Sequence, residues 1–519
     1  MAKELITAQL VAPAFLGLNT QDSSVSNDPT FALEANNCVI DEFGRLGARQ
    51  GWFYRTTGSN GINLLGMHPF LDVAGVNTVI SWNASTFKKG LTSLSTITLT
   101  SSDTINAGNW ASATLNDRAY FFQAGFKPIY YTNESTSDEF KTIESHADKT
   151  GTAPLANIVI SAFGRLFAAD TSTNKTTVFF SDLLDGVAWG SGSAGSINIS
   201  GVLPKGSDVI TGLGSHNGQL IIFCKNHIII YKDNDSFQGS FDVNTLSLVE
   251  VLEGVGCIAR DSIQNTGEDI LFLSATGLRS LGRTIQEKSA KLNDISKNIR
   301  DSFVDIVGRE SNLGLVKSVY FPEQAFYLIF LPTAGTAYVF DTRRPLEDGS
   351  YRVTTWNGLD HTDFVYDKTT RALYITQANG IAEYGNFTDN GSSYTMSYFT
   401  NHFDLGEPNK NKLLKKTAVT VIGSSAQSFN IKAGFDYLTS YFSFPFTIKD
   451  TPVSEYGIAD YGANATVVAE YQAGVSLDRL NSSVSGSGSI FQIGVEATID
   501  GGSLSIQKLD VYGKLGRII

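Results

Sequence analysis

His216, Cys224 and His227 are the nearest approach to a metal set in the chain, three side chains of ligand type close together in sequence. A structural zinc ion wants four nitrogen or sulfur donors in a tetrahedron. Cys224 and His227 are an odd number of residues apart, so a regular strand would turn them to opposite faces, and no fourth ligand is in view. Asp233 and Asp235 could offer oxygens to calcium, yet the loop lacks the glycine at position six and the glutamate at position twelve of a calcium-binding hand, which favours a solvated turn. Asp182, Asp185, Glu268 and Asp269 could supply the paired carboxylates of glycoside hydrolysis, a chemistry decided by distance in space and not by spacing along the chain. Gly190, Gly192 and Gly195 fit G-x-G-x-x-G, but they lie in a Ser-Gly loop with no helix after it to receive a pyrophosphate.

The sequence contains no G-x-S-x-G nucleophile elbow, no H-E-x-x-H zinc motif and no G-x-x-x-x-G-K-[ST] phosphate loop. Cys38, Cys224 and Cys257 are odd in number and widely spaced, which predicts buried apolar thiols and no disulfide framework. No catalytic, cofactor-binding or metal-binding residue is therefore assigned, no cofactor is implied, and no enzymatic activity is expected.

Any such side chains would have to be positioned by strands. Of the 519 residues 42% are hydrophobic and only 17% charged, with 49 glycines, 33 phenylalanines and 20 tyrosines spread throughout. That composition favours short strands and tight turns. Asn217-Gly218, Asn357-Gly358, Asn379-Gly380, Asn390-Gly391, Asp185-Gly186, Asp348-Gly349, Asp500-Gly501 and Asn60-Gly61 suit reversals that need positive φ. Leu220 to Phe223 and Ile228 to Tyr231 flank such a turn and read as a hairpin. The units Asn116 to Tyr120, Phe163 to Phe167, His216 to Leu220 and Thr266 to Leu271 share one grammar, a turn followed by an apolar strand. They recur about every fifty residues, the length of a four-stranded propeller blade.

Two segments read as helical. Asp28 to Ala35 has an N-cap aspartate followed by proline, and Leu292 to Val307 places Leu292, Ile295, Ile299, Phe303 and Ile306 on one face with Gly308 as a stop. The pattern changes near residue 396 to alternating strands such as Ala418 to Ile422 and Phe491 to Ala497. The reading is all-β: an N-terminal segment with a short helix over 1–49, a β-propeller over 50–395, and a C-terminal β-sandwich-like domain over 396–519. A chain cut after about residue 395 is expected to keep a folded propeller.

The net charge is −12 and no long run of Lys and Arg occurs, which argues against a protein that grips nucleic acid. The first residues lack a basic stretch followed by a clean apolar one, and no run of eighteen apolar residues exists. Neither a signal peptide nor a membrane-spanning segment is expected.

Phe15 to Thr20, Asp28-Pro29, Glu34 to Cys38 and Gly44 to Trp52 resemble the opening of podovirus tail-nozzle proteins, also described as tail tubular protein B or packaged-DNA stabilisation proteins. Arg165 to Trp189, Asp208 to Tyr231, Gly254 to Leu281, Asp404 to Lys416 and Ser505 to Lys514 look like the same group. The resemblance implies a structural virion protein, a homohexameric ring docked under the head-tail adaptor, extending the DNA ejection channel and retaining packaged DNA. It also implies tail fibre or spike partners, assembly in the host cytoplasm, and DNA that passes without specific binding. A tail-associated depolymerase or carbohydrate-binding receptor propeller is the alternative.

Overall fold

Both faces of a propeller strand are covered by neighbouring blades, so its apolar residues run on instead of alternating with polar ones. Gln219–Cys224 does this: Leu220, Ile222 and Cys224 enter one core with Ile158 and Phe167, while Ile221 and Phe223 enter another with Ile270 and Phe272. In the same way Tyr120 and Phe122 face Leu166 and Val159, and Ala119 and Phe121 face Ile80 and Phe87. Full burial of each such valine, leucine, isoleucine or phenylalanine contributes about 1.5–3 kcal/mol.

The structure is a computed structural model that describes residues 5–23, 28–58, 61–100, 103–105, 108–133, 138–203, 208–233, 246–287, 295–359, 361–405, 407, 409–438, 440–449 and 475–518. Among them, seven antiparallel units of three or four strands follow one another along the chain, six as separate sheets and one as part of a larger sheet. Blade 1 holds Gly66–Leu71, Asn77–Trp82, Phe87–Lys89 and Ser95–Ile97, and blade 2 holds Ala111–Leu115, Arg118–Phe122, Ile129–Thr132 and Glu139–Thr142. Blade 3 is Ala156–Ala162, Arg165–Thr171, Thr177–Phe180 and Gly195–Asn198; blade 4 is Ile210–His216, Gln219–Cys224, His227–Asp233 and Leu246–Glu253. Blade 5 has three strands, Gln264–Asn265, Ile270–Ser274 and Gly277–Ser280. Blade 6 is Lys317–Phe321, Phe326–Leu331, Thr336–Asp341 and Arg352–Asn357. Blade 7 takes Asp363–Asp367, Ala372–Gln377 and Gly380–Tyr384, and its fourth strand, Trp52–Tyr54, comes from before blade 1.

That borrowed strand ties the start of the circuit to its end. Blade 7 also packs on blade 1, where Thr362 Oγ1 donates to the Leu64 carbonyl at 2.6 Å and Asn77 Nδ2 to Asp367 Oδ2 at 2.6 Å. The chain is a β-propeller protein. The recurrent units read from the sequence fall at equivalent places, the turn from first to second strand in blades 2 to 5. Asn116, Asp117, Phe163 and Asn217 all have positive φ there.

A two-sheet sandwich adjoins the propeller. The outer strand of blade 6 continues through Ala32–Asn36 into Tyr394–Thr400, Phe491–Ile499, Ser428–Phe435 and Phe442–Thr447, making one nine-stranded sheet. The second sheet joins Cys38–Ile40, Leu46–Ala48, Leu504–Ile518, Lys410–Ser424 and Val475–Gly488, with Leu5–Val11 paired to Leu504–Ile518. Residues 5–48 therefore do not form a segment of their own. They are woven into the C-terminal sandwich.

The helix expected over Asp28 to Ala35 is not formed. Asp28 Oδ1 does accept from the Thr30 N–H at 2.9 Å, so the local turn signal is satisfied. Beyond it Ala32–Asn36 is a strand, with Ala32 and Ala35 fully buried and paired to Tyr394–Thr400. Long-range pairing and burial outweigh a cap worth about 1 kcal/mol. In the second expected helix, Leu292 to Asp294 lie outside the described residues, Lys297–Ile299 is a single 3-10 turn, and Arg300–Gly308 is α-helical. Phe303 packs on Tyr338 with ring centroids 4.9 Å apart. Another short α-helix, Leu281–Glu287, follows blade 5.

Arg49 joins the two bodies. It is fully buried, donates to both carboxylate oxygens of Asp389 at 2.8 and 2.7 Å and to Asn37 Oδ1 at 2.9 Å, and lies over the Tyr394 ring at 4.1 Å.

Candidate functional site

The first strand of each blade lines the propeller axis, and polar residues gather where these strands begin. Arg260 and Asp261 precede blade 5, Asn109 precedes blade 2, Lys317 opens blade 6 and Asp363 opens blade 7. Arg260 grips Asp261 with two bonds, Nε to Oδ1 at 2.6 Å and Nη2 to Oδ2 at 3.0 Å, and its Nη1 donates to the carbonyl and side chain of Asn157. Lys317 Nζ donates to Asp261 Oδ2 at 2.6 Å and to Asn109 Oδ1 at 2.7 Å, and stands 3.9 Å from Asp363 Oδ1. Asn109 Nδ2 donates to Asp261 Oδ2 at 2.8 Å and to the Gly314 carbonyl at 2.7 Å. Asp363 in turn accepts from the backbone N–H of Met67 in blade 1 and of Phe364. Hydrogen bonds and the Lys317–Asp363 ion pair thus link blades 1, 2, 3, 5, 6 and 7 in one network.

Burial alone would raise both carboxyls. At Asp261 that effect is outweighed by the charges and hydrogen bonds of Arg260 and Lys317, which hold it far below the usual carboxylate range. At Asp363 burial wins, helped by the neighbouring negative charge of Asp261, and its carboxyl is pushed up despite Lys317.

Beside the network lies a cavity of about 270 Å³ lined by inner-strand residues such as Met67, Ser112, Ile158 and Leu213, together with Trp82 and Trp110. Both tryptophans are almost wholly buried, and their indole Nε1–H groups find no acceptor among the described residues. Gly66 lets the Trp82 ring pack directly against the backbone of blade 1. A methyl group there would come within 2.7 Å of Trp82 Cε2 and 3.1 Å of Asp363 Oδ2.

The candidates named from the sequence are not brought together here. His216 and Cys224 sit at opposite ends of a hairpin in blade 4, where His216 pairs with Gln219 and Cys224 with Ile210, roughly 16 Å apart along the strand. Burial pushes the Cys224 thiol up to about 12, and His227 Nδ1 is held by Asp208 Oδ2 at 2.8 Å. Asp233 ends its strand, and Asp235 lies outside the described residues.

Asp182 and Asp185 belong to a loop of blade 3, Glu268 and Asp269 to a turn of blade 5, with blade 4 between them. Asp182 Oδ1 accepts from Ser193 and Leu183, and Asp269 from the N–H groups of Ile270 and Gly282, so both brace loops. Gly192, with φ of +64°, lies against the Asp182 carboxylate, and Gly195 starts a strand where a phosphate loop would start a helix. The three cysteines are free and buried.

Sequence reasoning missed the axial set altogether. Its one available signal was positional: Asn109-Trp110, Arg260-Asp261, Lys317 and Asp363 are polar interruptions just where successive inner strands begin.

No protein-family model and no curated protein matches the chain. Among solved structures it is similar to PorZ, a bacterial surface component of the type-IX secretion system of Porphyromonas gingivalis. That likeness has 12% identity and a TM-score of 0.35, over 64% of this chain and 37% of PorZ, so the chain spans little more than a third of PorZ. It is also similar to a protein from Lactobacillus plantarum, at 14% identity and a TM-score of 0.34 over 68% and 90% of the two chains. YCF48 bound to D1 peptide is similar at 10% identity and a TM-score of 0.35, over 68% and 96%. Scores this low carry no functional argument, and the propeller stands on the chain's own closed circuit of blades.

Proposed function

We propose that the chain is a tail-nozzle subunit of a short-tailed bacteriophage, a structural virion protein that forms a ring of six below the head-tail adaptor and continues the DNA ejection channel. The observation that carries this reading is a pair of exposed apolar surfaces on different bodies of the molecule. On the propeller, Leu71, Val73, Val76, Leu183 and Leu184 are exposed, Val73 at 87%. Their loop tips are tied together: the Val73 N–H donates to Asp117 Oδ1 at 2.7 Å, and Asn116 Nδ2 to the Leu184 carbonyl at 3.0 Å. On the sandwich, Tyr437, Leu438, Tyr441 and Phe442 are exposed. Exposed apolar patches mark contact sites, and two unlike patches on one chain suit head-to-tail contacts that close into a ring.

The axial network crosses the propeller, so in this reading DNA passes through the opening between the six copies. A net charge of −12 per copy lets a polyanion slide without being held. The subunit is synthesised and assembled in the host cytoplasm and ends in the virion tail, with fibre or spike proteins as further partners.

Electron microscopy of the virion tests this directly: the chain should appear as a six-fold ring on the tail axis, and another symmetry or an off-axis position refutes the reading. A gel shift should show only weak, sequence-independent DNA binding at physiological salt; tight binding would contradict the conduit. The alternative, a depolymerase or carbohydrate-binding propeller, draws on the axial cavity and would be favoured by release of saccharide from host envelope material.

A further inference from the structure

We propose that the outward face of the sandwich's second sheet is a contact surface for duplex DNA, which it meets through the phosphate backbone without reading sequence. The choice of DNA as the polyanion rests on the conduit reading above; the chemistry of the face does not. Three neighbouring strands, Lys410–Ser424, Val475–Gly488 and Leu504–Ile518, hold eight Lys and Arg against two Asp, whereas the rest of the chain holds 31 against 49 acidic residues. An acidic chain thus concentrates positive charge in one sheet.

Register turns that charge to one side. Leu480, Val484, Leu509 and Val511 point into the sandwich core, so the residues alternating with them point away from it. Lys508 and Arg479 pair with Thr420 from either side, and Lys416 pairs with Tyr512, two residues from Lys514. A bulge between Leu414 and Lys416 inserts Lys415 and leaves both lysines exposed. Lys416 and Thr420 are four residues apart, about 13 Å, and a duplex presents one phosphate charge per ~1.7 Å of its axis, so cations at both ends of the face meet one short stretch of backbone. Asp510 takes up part of the charge of Lys508, at 3.0 Å, and of Arg479, at 3.8 Å. Lys415, Lys416 and Lys514 have no carboxylate partner among the described residues.

The uncharged part of the face suits a phosphate backbone. Asn481, Ser483 and Ser485 are exposed along Val475–Gly488, and Gln9 along Leu5–Val11. Side chains of this kind, with Lys and Arg, supply the contacts to phosphate oxygens, whereas Lys and Ser are depleted in protein interfaces. The exposed apolar residues of the face, Val11 and Leu477, stand at one end of it. No run of Lys and Arg in the sequence discloses this surface, because its cations come from three strands and meet only through register. Exposed lysines on a protein of net charge −12 touch DNA without gripping it, so the contact is weak at physiological salt.

Full-length protein titrated into a fluorescein-labelled duplex, with binding followed by anisotropy between about 50 and about 200 mM salt, tests this. The expected result is saturable binding at low salt, insensitive to duplex sequence, that weakens as salt rises. Lys415→Gln, Lys416→Gln and Lys514→Gln combined should lower the slope of log K against log salt by about 3, one per phosphate contact, and weaken binding at low salt at least about tenfold. Lys225, Lys232 and Lys368 are exposed on the propeller, and Lys225→Gln, Lys232→Gln and Lys368→Gln combined make the same change in net charge and should bind as wild type does. Where the sandwich triple variant fails to fold, Lys416→Gln alone decides, with a slope lower by about 1. Absence of saturation at low salt, an equal loss in both triple variants, or tighter binding of polyglutamate than of DNA at matched salt overturns the proposal, the last result assigning the face to an acidic protein. The six-fold ring is judged by microscopy and not by this titration, so a face that ignores DNA leaves the ring standing, and a tail without the ring leaves the face standing.

Discussion

Replacing Asp261 by asparagine tests how far the axial network holds the propeller together. The substitution keeps the shape of the side chain and removes the negative charge to which both Arg260 and Lys317 donate, leaving two cations facing each other in a largely buried place. Removing one partner of a buried ion pair costs about 3–5 kcal/mol. The lower end applies here, because Lys317 keeps Asn109 and has Asp363 3.9 Å away, and Arg260 keeps Asn157. The expected loss is therefore about 3 kcal/mol, read from urea unfolding followed by tryptophan fluorescence at pH 7. Asp261→Asn combined with Lys317→Met should recover at least about 1 kcal/mol of that loss, since the stranded cation is gone. The pH dependence has two opposing parts. Asp261, held low, stabilises the fold above the ordinary carboxylate range and loses that contribution as pH falls below it; Asp363, held high, favours the fold at low pH and loses its contribution as pH rises through the ordinary range toward its own value. A loss under about 1 kcal/mol for Asp261→Asn, or no recovery in the double variant, would refute the claim that the network bears on stability.

His68, at the seam of blades 1 and 2, is pushed down to about 4 by burial and contacts Thr114 Oγ1 at 2.7 Å. Its contribution is complete above the ordinary histidine value near 6.5 and is lost as pH falls through 4, so urea midpoints should drop across that window, less steeply in His68→Gln; identical slopes would contradict this. Leu184→Asp on the propeller tips, or Phe442→Asp on the sandwich, should abolish ring assembly while leaving circular dichroism and melting unchanged, because both side chains are exposed. Normal incorporation of both variants into tails would show that neither patch is an interface.

The propeller was legible because its signal is local and repeated: Asn116, Phe163, Asn217 and Gly267 mark the same turn in four blades, and chain geometry alone demands positive φ there. Blade 7 hides from such reading, since its fourth strand, Trp52–Tyr54, stands over three hundred residues from Gly380–Tyr384, its partner. The same reason defeats the helix expected at Asp28. Its cap is real, but the fate of Ala32 and Ala35 is decided by Tyr394–Thr400, and no window of neighbouring residues contains that fact. The axial site was illegible for a related cause. Asn109, Asp261, Lys317 and Asp363 become neighbours only when the circuit of blades closes, and no motif spacing encodes a circle.

The interweaving of the two ends bears on what a cut near residue 395 does. Composition and strand pattern predict a propeller that stays folded, but the cut falls inside Tyr394–Thr400 and strips partners from Leu5–Val11, Ala32–Asn36 and Leu46–Ala48. It also opens a core in which Phe15, Leu271, Leu273, Phe303 and Tyr327 pack in one cluster with Tyr398, Val419, Phe491 and Leu509. Blades 5 and 6 contribute to that cluster, whereas blades 1 to 4 pack largely into cores of their own. Loss of the sandwich should therefore be felt unevenly. In a chain of residues 1–395, hydrogen exchange should stay slow in blades 1 to 4 and become fast in the helix Arg300–Gly308, in Gly277–Ser280 and in Phe326–Leu331. Residues 396–519 supplied in trans should restore protection to those segments. Slow exchange in blades 5 and 6 of the cut chain would mean that the propeller is autonomous, and that the nine-stranded sheet joins two bodies able to stand apart.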